Sequence, residues 1–135
     1  MKVDIEGFDR HCILPLTEHT APEFVSFEMG EDAVELTEHL CSIGYRHFKI
    51  INQCTFREFD NDHRYHYVIW DLRHRLFGWN RPFYYRRAGR RFQSGHSSGP
   101  MPEKTDGTWH SYEETLERSK ALHLKRGWWD LHARR

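Results

Sequence analysis

The chain has little cysteine, no long apolar run and no net charge. Its three Cys (Cys12, Cys41, Cys54) are odd in number and widely spaced, and no C-x-x-C occurs. That excludes a disulfide scaffold or a thiolate zinc site and fits a reducing compartment, with Cys12 and Cys41 as small core residues on helices. No apolar run approaches the roughly 20 residues of a membrane span. The start, with Lys2, Asp4 and Glu6, has no apolar signal segment. A cytoplasmic location with no membrane partner is therefore expected. Also missing are a G-x-G-x-x-G turn and a G-K-[ST] phosphate loop. A nucleotide cradle is thereby excluded from what the sequence shows.

What is present is a balanced but unevenly charged chain of 135 residues, long enough for one domain and one core. Lys plus Arg and Asp plus Glu each number 20, which argues against a uniformly charged nucleic-acid binder. Residues 1–60 carry 12 acidic and 5 basic side chains, whereas residues 61–100 carry 8 Arg against Asp62 and Asp71. Aromatics at 15% argue for a folded domain.

The first half alternates strand and helix patterns. Residues 2–5 read as a strand. Asp9 can cap a short helix through about His19, limited by Pro15. Phe24–Glu28 is a short apolar strand. Ala33, Leu36, Leu40 and Ile43 fall on one helical face, and Gly44 stands at the expected C-terminal stop. Tyr45–Asn52 is the next strand. This β-α-β-α-β order predicts parallel strands with crossover helices on the faces. In such sheets ligands bind outside the carboxyl ends of the strands. Asp4 and Glu6 end the first strand, Glu28 the second, and Asn52 and Gln53 the third, so three carboxylates are expected on one edge.

In the second half, alternation over 55–59 and 64–72 around Asn61-Asp62 predicts a hairpin. On a strand His63 and His66 would point to opposite faces, which disfavours a metal site. Residues 78–108 hold five Gly and three of the five Pro, with Arg and aromatics interleaved. They read as a loop insertion. The segment 53–108 is thus a hairpin and loop insertion within a single domain spanning 1–135. Ser111 and Glu114 form a capping box for a helix. Residues 128–133 read as a last strand, on which Asp130 and His132 share a face. A carboxylate beside an imidazole can orient a general base.

Taken in order, these residues resemble a known family. Val3-Asp4-Ile5-Glu6-Gly7-Phe8 resembles the D-[VI]-E-G signature of FkbM-type methyltransferases. Pro22–Glu28, Gly44-Tyr45 with Phe48–Asn52, Ser97–Pro100, Trp109 and Trp129–Ala133 resemble later parts of the same family. The resemblance implies an S-adenosylmethionine-dependent enzyme with a partial Rossmann-like α/β sheet. The family's glycine-rich first strand and the acidic end of its second strand should precede Asp4. The chain is therefore similar to the C-terminal half of such an enzyme, expected to be inactive alone and to bind the cofactor weakly. A missing N-terminal half or a partner would cover the open sheet edge. The implied reaction is O-methylation of a small hydroxylated acceptor such as a sugar. Asp4, Glu6 and His132 are the expected catalytic residues, and Asp4 and Glu28 the expected cofactor contacts. No metal ligand set is assigned, although a divalent cation among Asp4, Glu6 and Glu28 stays open. The alternative is a non-enzymatic module whose Arg and aromatic segment (Arg81, Tyr84, Arg86, Arg90, Arg91, Phe92) grips an acidic partner or nucleic acid.

Overall fold

The computed structural model describes residues 1–5, 7–78, 84–87, 89–93, 105 and 107–135. Among the described residues it is a mixed α/β fold built around a three-stranded antiparallel sheet with four α-helices. The elements run α1 (Arg10–Ile13), β1 (Phe24–Glu28), α2 (Ala33–Ser42), β2 (His47–Asn52), α3 (Arg64–Phe77), β3 (Tyr84–Arg87), β4 (Arg90–Gln93), α4 (Tyr112–Lys120) and β5 (Trp129–Arg134).

The last strand sits in the middle. The sheet order is β1-β5-β2, and β5 pairs antiparallel with both neighbours. β1 and β2 therefore run in the same direction, as the sequence reading expects, but they do not touch. The expected parallel pairing is corrected by β5, whose six residues insert between them. The first expected strand shrinks to one parallel bridge, Lys2 to Ser26, where Val3 N donates to Ser26 O at 2.8 Å and Ser26 N donates to Met1 O at 2.9 Å.

The register makes the sheet two-faced. Val25 and Phe27, Leu131 and Ala133, Phe48 and Ile50 project to one side, where Ile13, Ala33, Leu36, Leu40 and Val3 complete the main core. Phe59 and Trp129 extend that core beside Ile50. Crossover helices on both faces were expected; the core places α1 and α2 on this apolar face. Gly44, at φ +107°, ends the α2 turn, and Tyr45 N closes it onto Leu40 O at 3.0 Å. α4 starts at the expected capping box: Glu114 N donates to Ser111 Oγ at 3.2 Å, and Ser111 N donates to Glu114 Oε2 at 2.9 Å.

Two expectations fail locally. Residues 64–72 are not a hairpin strand but the first part of α3, which has apolar residues at both 2-residue and 3.6-residue spacings. His63 and His66 are its N-terminal cap and third residue, with rings stacked 5.7 Å apart. Asp9 does not cap α1; its Oδ1 accepts from Ile5 N at 3.0 Å and ties the chain back on itself. Of the expected loop insertion, β3 and β4 form a hairpin, with the Arg91 guanidinium 3.8 Å from the Tyr84 ring centre. The expected contributions of Arg81 and of Ser97–Pro100 lie outside the described residues. Among the described residues no helix is long and apolar enough to cross a membrane.

Candidate functional site

The second face of the sheet is polar, and it is buried. One cross-strand row runs Lys2, Ser26, His132, Lys49 in register across four strand segments. Ser26, His132 and Lys49 are each no more than 4% exposed. The next row toward the carboxyl edge places Glu28 opposite Asp130. Asp4 follows Lys2 by two residues and so shares its face.

Electrostatics knit this region together. Asp130 is fully buried and accepts from Gln53 Nε2 at 2.7 Å and from Lys2 Nζ at 3.1 Å. Lys2 Nζ also lies 3.7 Å from Asp4 Oδ2. Two carboxylates opposite one another repel. The pKa of Glu28 is accordingly raised, first by burial and then by Asp130, Asp4 and Asp9, with Lys2 opposing. Asp9 is also raised, chiefly by burial. The expected gathering of carboxylates at the carboxyl edge is thus present in Asp4 and Glu28. Glu6, the third carboxylate expected there, lies outside the described residues.

His132 is placed differently from its expected role. Its ring is 2% exposed in the middle of β5, and burial holds its pKa down to about 4, with Asp130 opposing and Lys49 and Lys2 reinforcing. Asp130 does share its face, as expected. A base must reach the proton it removes, and a fully covered strand centre denies that reach. Lys49 beside it donates to Thr105 O at 3.1 Å and stands 4.4 Å from the Trp109 ring centre, so Thr105 and Trp109 roof this row.

Lys49 and Asp9 were missed from the sequence. Lys49 sits mid-strand in an apolar run, where only the register reveals its face. Asp9 reads as a helix cap until its bond to Ile5 is seen. Gln53, expected on the edge, is there and holds Asp130. Asn52 turns to the opposite face and donates to Asp62 Oδ2 at 2.8 Å.

A second cluster lies outside the sheet edge. The bridges from Ile51 to Glu58 and from Phe48 to His110 bring Glu58, Asp60 and His110 together, with ligand atoms within 4.8 Å of one another. His110 Nε2 is 3.3 Å from Glu58 Oε1. Arg118 donates to Asp60 Oδ2 from Nη2 at 2.7 Å and from Nε at 3.0 Å. The guanidinium already supplies the positive charge there, so the cluster closes on itself as an ion-pair network.

The acidic edge suits the charge of a sulfonium donor. It does not suit the whole nucleoside. A cavity of about 370 Å³ is lined by Asp62, His63, Arg64, Tyr67, Lys125 and Arg126, and a second of about 240 Å³ lies at Arg57, Glu58 and Asn61. Neither reaches Asp4, Glu28 or His132, and no glycine-rich phosphate or nucleoside turn abuts the edge among the described residues. No family model, no curated protein and no solved structure matches the chain.

Proposed function

We propose that the chain is the C-terminal part of a Rossmann-like, S-adenosylmethionine-dependent O-methyltransferase and supplies its acceptor-side edge. The observation that carries this reading is the meeting of Asp4 and Glu28 at the carboxyl ends of two adjacent, codirectional strand segments. That is the place where open α/β sheets present catalytic groups.

The bound cofactor would supply an electrophilic methyl group. This chain's residues handle the acceptor. A hydroxyl that gains a methyl group must lose its proton, and a carboxylate of raised pKa is the better base near neutrality. Glu28 has that character; Asp4, 41% exposed at its side chain, orients the hydroxyl from the solvent side. Lys2 and Gln53 fix Asp130, which keeps Glu28 raised.

Glu28→Gln is expected to lower turnover by about 10²–10⁴-fold with unchanged thermal unfolding. The assay is transfer of a labelled methyl group to a panel of sugars, using protein made from the full reading frame. Undiminished turnover in Glu28→Gln would remove it from the reaction.

A further inference from the structure

We infer that the larger cavity is a binding site for a phosphate monoester, separate from the Asp4 and Glu28 edge and independent of the methyl-transfer reading. It measures about 370 Å³ and is lined by Asp62, His63, Arg64, Tyr67, Lys125 and Arg126. Pockets for small organic ligands begin at about 300 Å³, so the space suits more than an inorganic ion. Cations dominate its lining, and each is set on anchored backbone. Arg64 opens α3 behind a reciprocal cap, in which His63 N donates to His66 Nδ1 at 3.0 Å. Arg126 is held by its carbonyl, which accepts from the buried Asn52 Nδ2 at 3.1 Å. Lys125 Nζ donates to Phe59 O and, at 3.1 Å, to Asp62 O. An ammonium has three donors, so one is left for a ligand.

The charge of the lining identifies the ligand class. Arg64 and Arg126 are exposed, and among the described residues neither guanidinium has an ion-pair or hydrogen-bond partner. The one acid in the lining, Asp62, gives its oxygens to Asn52 Nδ2 at 2.8 Å and Thr55 Oγ1 at 2.9 Å, with His66 3.5 Å away. Three cations against one carboxyl leave a surplus of at least two positive charges. The positive end of the α3 dipole adds to it. A phosphate monoester carries about 1.5 to 2 negative charges near neutrality and matches that surplus. A carboxylate would leave charge unmet, and it has two acceptor oxygens in one plane. A phosphate has three, enough to meet two guanidinium forks and an ammonium from different sides. Tyr67, half-buried with its ring centre 5.3 Å from that of Trp70, supplies an aromatic wall for the organic group of the ester.

The test is NMR titration of the full nitrogen-labelled chain with phenyl phosphate, benzoate and inorganic phosphate. Phenyl phosphate is expected to saturate a single site and to shift the Nε–H signals of Arg64 and Arg126. Benzoate, which lacks the second charge, and inorganic phosphate, which lacks the ring, are each expected to bind about tenfold more weakly. Arg64→Gln with Arg126→Gln is expected to weaken phenyl phosphate about tenfold or more, since hydrogen bonds between charged groups are the strong ones. Lys120→Gln, at a lysine that pairs with Glu117, is expected to leave it unchanged. Circular dichroism checks that the variants stay folded. Undiminished binding by the folded double arginine variant overturns the proposal, as does the lack of any saturable shift with phenyl phosphate. Benzoate binding as tightly overturns the phosphate assignment, and inorganic phosphate binding as tightly overturns the ester.

Discussion

Gly127→Ala lowers the unfolding free energy by about 2–5 kcal/mol, whereas Gly89→Ala costs about 1. Gly127 lies at φ +125°, where an L side chain is strained, and an added Cβ would stand 2.4 Å from Asn52 Nδ2 and 2.7 Å from Oδ1. Asn52 cannot yield. It is fully buried, its amide donates to Asp62 Oδ2 at 2.8 Å and Arg126 O at 3.1 Å, and its Oδ1 accepts from Cys54 N at 2.8 Å. Moving it strands Asp62, whose other oxygen holds Thr55 Oγ1 at 2.9 Å. A buried polar group left without its partner costs about 1–3 kcal/mol, and the positive φ adds about 1–2. Gly89 also has a positive φ, +74°, but nothing lies within 4 Å of its added Cβ. Urea unfolding of both variants measures the contrast. Equal midpoints would mean that the Asn52–Asp62 network relaxes freely.

The second large effect is acid sensitivity set by His132. Its folded pKa is about 4 against an ordinary 6.5, because the neutral ring is sealed between Ser26 and Lys49 on the polar face. The unfolded chain therefore takes up a proton that the folded chain refuses. Stability from this group is whole above pH 6.5 and falls as pH drops toward about 4, by roughly 3 kcal/mol in total. The raised carboxyls of Asp9, Glu28 and Asp62 act with the opposite sign, since the folded state protonates them first. The measurement is consequently a difference: urea midpoints of wild type and His132→Asn at pH 7 and pH 4.5. The wild type should lose more stability between the two values. Parallel losses would show that His132 protonates without cost in the fold.

The elements that a local pattern can specify were legible. β1 appears at the expected Phe24–Glu28, and α2 ends at the Gly44 stop, because apolar spacing and a glycine with positive φ are encoded within a few residues. The central place of β5 was not legible. Its pairing joins residues about a hundred positions apart, and nothing in Trp129–Arg134 announces which strands it will separate. α3 was misread because Tyr65, Tyr67 and Ile69 alternate with His66, Val68 and Trp70. A helix with apolar residues on both sides imitates a strand over that length. Leu72 and Leu76, one and two turns on, carry the helical period.

The candidate site divides in the same way. Asp4 and Glu28 follow from strand direction alone, which the structure keeps. His132 does not, because its burial depends on Lys49 and on the roof at Thr105 and Trp109, far from it in sequence. Glu28 gains its raised pKa from Asp130, a neighbour that only the antiparallel register supplies.

Calorimetric titration with S-adenosylmethionine tests the central claim most directly. It is run on the 135-residue chain and on the longer product of the same reading frame. The account predicts binding heat from the longer product alone, since the described acidic edge can face a sulfonium but cannot enclose a nucleoside. Tight binding by the 135-residue chain, or none by either, would contradict it.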